Sequence, residues 1–213
     1  MKLRLAALAA LILLSACRHA GDITADNGGG VYAVRSDCPI AGVLAGTGDM
    51  TLFNPQNTND SRAIDVTAAI TDLRASCQDV GTDVISTATF TIVGLRREGG
   101  SARQVVLPYF NVALRGGQTI AAKQIGQAVL NFRAGDVHSY ARVQATVRVN
   151  RGAAALPANV REILTRPRKS GEAEAAVDPM SDPAVAKAVA EATFEQLVGF
   201  QLTPGQIKYN ATR

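Results

Sequence analysis

Val137-His138-Ser139-Tyr140-Ala141-Arg142-Val143-Gln144-Ala145-Thr146-Val147-Arg148-Val149-Asn150 is the stretch that decides the fold. Val137, Ala141, Val143, Ala145, Val147 and Val149 fall on one phase of a two-residue period. His138, Tyr140, Arg142, Gln144, Thr146 and Arg148 fall on the other. Successive side chains of a strand point to opposite faces, so the pattern predicts a strand with one face in a core and the other in water.

The same period extends toward the N-terminus. Gln118 to Phe132 reads as a strand that reaches Val137 through the turn Ala134-Gly135-Asp136. Gly116-Gly117 is a two-residue hairpin signal, because the favoured hairpin turns need a positive φ that glycine adopts without strain. It joins Gln118–Phe132 to Val105–Arg115, in which Val106, Phe110, Val112 and Leu114 share one face. Pro108 has no backbone donor, which assigns that end to an edge or a bulge. Asp83 to Arg97 is dense in Thr, Val, Ile and Phe and turns at Gly99-Gly100. Arg62 to Cys77 alternates with Ile64, Val66, Ala68 and Ile70 on one phase, then slips to Leu73, Ala75 and Cys77. A slip of one residue inside a long strand predicts a β-bulge. Gly48 to Phe53 is a short strand, closed by the turn-rich residues 54–61.

Toward the C-terminus the rhythm breaks. Residues 151–181 place Arg151, Arg161, Arg166, Arg168 and Lys169 among Gly, Ala and Pro, and read as a basic connection. Asp182-Pro183 opens a helix, with Asp as N-cap and Pro in the first position. Val185, Ala188, Val189 and Ala192 form its apolar stripe. Phe194 to Leu202 is the last strand, with Phe194, Val198, Phe200 and Leu202 inward and Gly199 marking a bulge or a close neighbour. Thr203-Pro204 starts a final short turn or helix to Tyr209. About seven strands joined by short turns, without βα alternation, predict an all-β domain: an antiparallel β-sandwich of the immunoglobulin/fibronectin III-like kind. One short helix precedes its last strand, and a small β-barrel is the alternative. The domain spans 37–211, with the basic loop and helix inserted at about 151–192. The Asp83–Arg97 strand and the strand holding Pro108 are its expected edges.

Ahead of the domain the chain changes character. Lys2 and Arg4 precede an apolar run from Leu5 to Leu14, which ends in the small residues Ser15 and Ala16. That order is a secretory signal. The run of about ten residues is too short for a bilayer, which needs roughly 20. Residues 1–16 are therefore the expected signal peptide, and residues 17–36, with Asn27-Gly28-Gly29-Gly30, a flexible tether that begins at Cys17. The whole chain holds 22 Lys+Arg and 18 Asp+Glu. Losing Lys2 and Arg4 with the leader brings it near neutrality, which argues for neither nucleic acid nor a strongly acidic partner. There is no Trp, against an aromatic platform for sugars. Of three Cys, Cys17 stands at the end of the leader. Cys38 and Cys77 then remain to form a disulfide in an oxidising compartment, or to stay as two buried thiols. No His or third Cys is spaced to complete a metal site with them.

Leu14-Ser15-Ala16-Cys17 resembles the lipobox of bacterial lipoproteins. The resemblance implies cleavage before Cys17 and, on Cys17, a diacylglyceryl thioether with a further amide-linked chain. Each buried methylene contributes about 0.8 kcal/mol, so one chain is marginal and two or three hold firmly. Arg18 stands where an Asp favours inner-membrane retention in enteric lipoproteins, which leans toward the outer membrane. Cys38-Pro39, Cys77, Leu107-Pro108-Tyr109-Phe110, Ala122-Lys123, Val198-Gly199-Phe200-Gln201-Leu202-Thr203 and Tyr209-Asn210 follow in that order. Together they resemble a group of alphaproteobacterial lipoproteins of sphingomonad type, over roughly residues 35–211. That group has no established activity, so the resemblance implies a place, the cell envelope with the domain in the periplasm, and no site.

The sequence holds no catalytic constellation. Of its two His, His19 lies in the tether and His138 on the polar face of a strand. No Gly-x-Ser-x-Gly elbow occurs. Gly46-Thr47-Gly48 is too short for a phosphate loop and lacks its Lys. Asn57, Asn59 and Asp60 lack the terminal Glu of a calcium loop. No cofactor and no metal are expected. Arg161, Arg166, Arg168 and Lys169 are candidate contacts to an anionic membrane surface, where a cation contributes about 1 kcal/mol. The alternative is a solvated loop whose charge Glu162 and Glu172 partly offset. The expected function is a non-enzymatic binding or assembly module, anchored to the membrane through lipid on Cys17. Its partner would be another envelope protein, reached by strand addition at an exposed edge. The alternatives are a periplasmic lipoprotein with an apolar pocket for a lipid-like ligand, and an enzyme of unknown class.

Overall fold

The computed structural model describes residues 37–56, 58, 60–166, 171 and 177–212. The expected leader, Cys17, the tether, Arg168 and Lys169 lie outside the described residues. The strands are β1 (Ile40–Val43), β2 (Asp49–Phe53), β3 (Ile64–Val80), β4 (Asp83–Arg96), β5 (Arg103–Arg115), β6 (Thr119–Phe132), β7 (His138–Asn150) and β8 (Phe194–Phe200). The helices are α1 (Arg151–Ala154), α2 (Ala158–Thr165), α3 (Pro183–Ala192) and α4 (Pro204–Thr212).

The strands form two four-stranded sheets, in the orders β1-β8-β5-β6 and β2-β3-β4-β7. Pairing is antiparallel except between β1 and β8. The inner faces meet in a main core, with a smaller cluster of Val149, Ala154 and Phe194 apart from it. Val66, Phe90, Ile92, Leu107, Leu130, Phe132, Val198 and Phe200 are each no more than 2% exposed. β7 follows its sequence phase: Val143, Ala145, Val147 and Val149 are buried, and His138, Tyr140, Arg142, Gln144, Thr146 and Arg148 are exposed. The slip in β3 is a bulge: Thr71 faces Thr91 while Arg74 faces Thr89. Asp72, inside it, has φ 52°, a left-handed conformation that Asp tolerates better than most side chains. Gly116 and Gly117 have φ 62° and 71° in the β5–β6 turn. Asp182 caps α3 by accepting from the Ala184 N–H at 2.8 Å, with Pro183 in the first position.

Four features differ from the sequence reading. The first is β1, an eighth strand of four residues paired parallel to β8, too short to show a period. The second is the connection after β7, which is not simply a loop but contains α1 and α2. Asn150 caps α1 through its side chain, whereas Pro157 begins α2 without a side-chain cap, so α2 carries no start signal. The third is the phase of β5. Leu107, Asn111 and Ala113 face the core with 1% exposure or less, while Val106 is 49% exposed. Phe110 and Val112 are also buried, because the outer face of β5 is covered at that end. Gly199 shows how closely: a β-carbon there would lie 2.6 Å from Phe110 Cζ and also strike Thr47 Oγ1. The expected close neighbour of Gly199 is therefore present.

The fourth difference decides where a partner can dock. Neither expected edge is an edge. β4 lies between β3 and β7, and β5 between β8 and β6. The threonines of β4 do not mark an open rim; they make up the half-buried outer face of a central strand, where Thr87 meets Thr146 across to β7. Pro108 is accommodated because the ladder to β8 stops beside it. Its carbonyl accepts from Gln201 N–H at 2.9 Å, and its missing N–H costs one bond at the end of that ladder.

Candidate functional site

Polar groups inside the sandwich bind one another. Gln196, fully buried on β8, lies on the same phase as Phe194, Val198 and Phe200. Its Nε2 donates to Asn111 Oδ1 at 3.0 Å and to the Ala145 carbonyl at 2.9 Å. Its Oε1 accepts from Ser86 Oγ at 2.7 Å. Asn111 Nδ2 donates onward to the Thr146 carbonyl at 3.1 Å. These contacts link β8 and β5 of one sheet to β4 and β7 of the other. Arg96, 3% exposed, is similarly occupied. It donates to the carbonyls of Asp136 (2.5 Å), Ser101 (2.9 Å), Gly100 (3.1 Å) and Arg133 (2.9 Å), which pins the β4–β5 loop to the β6–β7 loop.

Surface cavities among the described residues are lined by polar side chains, as two of them show. One, of about 470 Å³, lies among Arg62, Asp65, Arg97 and Arg103. Its arginines are engaged by neighbours. Arg103 forms a two-pronged contact with Asp65, at 2.6 and 3.0 Å, which raises the guanidinium pKa. Arg62 donates to Asp60 and holds that carboxyl below its usual range. Arg97 donates to the Arg62 carbonyl. The second cavity, of about 240 Å³, lies between β2 and α4 among Thr51, Phe53, Gln56, Gln206 and Tyr209.

Residues singled out in the sequence fall apart in space. Arg161 lies within α2, and Arg166 is the residue that ends it. Arg161 donates to the Leu156 carbonyl at 3.2 Å, and Arg166 lies 3.6 Å from Glu162. His138 is exposed at the start of β7. Among the described residues no three His, Cys, Asp or Glu gather to hold a metal, and no helix is long and apolar enough to cross a membrane. Cys38 and Cys77 do come together, at disulfide distance with Cα atoms 6.0 Å apart. A bond there joins the segment just before β1 to β3 of the other sheet. Peptide mapping without reduction is expected to recover the two as one linked pair. Removing both thiols should lower stability by about 2–5 kcal/mol, the usual range for a native disulfide of a small secreted domain. Recovery of both as alkylated free thiols would refute this.

The sheet edges complete the candidate site. A bare edge strand offers unpaired N–H and C=O groups to any other strand, and proteins guard against it with shortness, covers or charge. β1 has four residues. β2 lies under α4, where Asn210 Nδ2 donates to the carbonyls of Gly46 (3.1 Å) and Asp49 (2.9 Å) and Tyr209 packs edge-on against Phe53. β7 carries His138, Arg142 and Arg148 on its solvent face. β6 has none of these: it runs 14 residues with Lys123 as its single charge. Which of its groups are free follows from pairing. The Gln201–Pro108 bond shows that even-numbered residues of β5 address β8, so odd-numbered ones address β6. Their partners on β6 are Gln124, Gly126, Ala128 and Leu130. Lys123, Ile125, Gln127 and Val129 therefore direct N–H and C=O to the open side. Asn131 does so too, and its carbonyl accepts from Ser139 Oγ at 3.0 Å. On the outer face beside this rim, Ile125, Val129 and Val106 are exposed.

The sequence reading missed the β6 rim, Gln196 and Arg96. The signal for β6 was present as a long run nearly free of charge. Compared with family models, curated proteins and solved structures, the chain has no match.

Proposed function

We propose that this chain is a cell-envelope lipoprotein of the alphaproteobacterial group it resembles, acting as a non-enzymatic binding or assembly module. In this reading lipid on Cys17 holds the domain to a periplasm-facing leaflet, the outer membrane rather than the inner. The Cys38–Cys77 pair is oxidised there. The domain engages its partner by accepting a strand along β6. The observation that carries the reading is the contrast among rims: three are short, covered or charged, and β6 is long and open. Strand addition would satisfy its free backbone groups, and the exposed Ile125 and Val129 would supply side-chain contacts. The filled interior, with Phe90, Phe132 and Phe200 fully packed between the sheets, favours a rim over an inner pocket as the working surface.

Two measurements test the two halves of this reading. Cys17→Ser is expected to abolish incorporation of labelled palmitate and release from the leader. Equal labelling of parent and variant would end the anchor. A photo-crosslinking residue at position 125, in cells, is expected to give a discrete adduct, and one at position 144 on β7 none. No adduct from position 125 would end the rim as the partner surface.

A further inference from the structure

The open part of β6 is self-complementary. Lys123, Ile125, Gln127 and Val129 present free backbone groups, bounded by the register shift at Ala113/Leu114 on one side and by the Asn131–Ser139 bond on the other. These four positions are symmetric about Gly126. We propose that the strand accepted by β6 is β6 of a second copy, antiparallel, with the two-fold axis at Gly126; this rests on β6 being the strand-accepting rim. Lys123 then faces Val129 of the other copy, and Ile125 faces Gln127.

In that register each of the four residues exchanges both of its backbone bonds with a counterpart, which no neighbouring register allows. An axis at Ile125 leaves Val129 to pair beyond the bulge. An axis at Gln127 sets Ile125 opposite Val129 and drives Lys123 onto Asn131, whose carbonyl is already taken. An axis at Lys123 sets like charges face to face, which destabilises a cross-strand pair. With the axis at Gly126 the two lysines stand six residues apart along the sheet, roughly 20 Å. The rim, charged at Lys123 alone, and the exposed Ile125 and Val129 are thus paired without repulsion, and the two four-stranded sheets continue into one of eight.

The lipidated full-length protein, solubilised from membranes, provides the test. Copies carrying Ile125→Cys and copies carrying Gln127→Cys, co-expressed with different tags, are expected to form a disulfide-linked mixed dimer. Facing residues of such a pair lie about 5.5 Å apart at Cα, within disulfide reach. Either variant alone should link far less, because its like positions sit diagonally, about 7–8 Å apart. Val129→Glu and Val129→Lys lose the same valine, yet should shift the dimer dissociation constant in opposite directions, at least about twofold each, as Glu meets Lys123 and Lys repels it. A monomer by light scattering with no mixed linkage would overturn the second copy. Equal linkage in single and mixed samples would do the same, as random collision. A linked product of some other mass from Ile125→Cys would also overturn it while leaving the rim as a strand acceptor. Absence of any adduct from that rim would remove both.

Discussion

Ending the chain after Glu191 is expected to abolish the folded sandwich. β8 stands inside its sheet: it pairs with β1 along Ile40–Val43 and with β5 along Tyr109–Arg115. Its removal strands β1, opens β5 and uncovers the core that Phe194, Val198, Phe200 and Leu202 close. Burying such a side chain contributes about 1.5–3 kcal/mol, so four of them approach the 5–15 kcal/mol that holds a typical domain together. The comparison is a chain ended after Thr203, which loses only α4. That truncation uncovers Phe53 and the carbonyls of Gly46 and Asp49 but keeps both sheets, so it should weaken the domain and leave it folded. In limited proteolysis the shorter chain should fall to small fragments while the longer one persists. If both resist like the parent, β8 is an appendage and not a wall of the core.

Gln196→Leu is expected to be clearly destabilising although it adds apolar surface to a core. Two buried side-chain groups lose their partner at once, Ser86 Oγ and Asn111 Oδ1, while the Ala145 carbonyl loses a second donor and keeps its ladder bond to β4. An orphaned buried polar group costs about 1–3 kcal/mol, so with two of them the variant should lose on the order of 2 kcal/mol or more in urea unfolding. The triple change Gln196→Leu, Asn111→Leu, Ser86→Ala should recover part of that, because removing both members of a hydrogen bond is far cheaper than removing one. A loss below about 1 kcal/mol for the single variant would show that water enters and satisfies both.

What the sequence could reveal tracks how local each cause is. The phase of β7, the bulge at Asp72, the glycine turn at 116–117 and the Asp182-Pro183 helix start all depend on neighbours within a few residues, and each was readable. Strand order was not. Whether the threonines of β4 or Pro108 of β5 face solvent is decided by β7 and β8, which arrive later in the chain and from a distance. Gln196 was hidden for the same reason. On an apolar phase a glutamine looks like an interruption, until Ser86 and Asn111 are brought to it from 110 and 85 residues away. β5 misled because both of its faces are covered at one end, so Phe110 and Val112 advertised the wrong side. The rim of β6 was legible only as composition, and composition does not say which strand ends a sheet.

The placement of Cys38 bears on how the domain would fail under a pull. Any tension arriving from the N-terminal side of the sandwich meets Cys38 before it meets β1. Without a bridge the force falls on β1, four residues hydrogen-bonded to β8 alone, and a short lateral strand detaches before the rest of the sheet yields. With Cys38 joined to Cys77 the force divides, and a share enters β3, a strand of 17 residues paired with β4 from Val66 to Val80. The covalent link then works as a strain relief, which sets the mechanical threshold of the domain by its longest strand and spares its shortest.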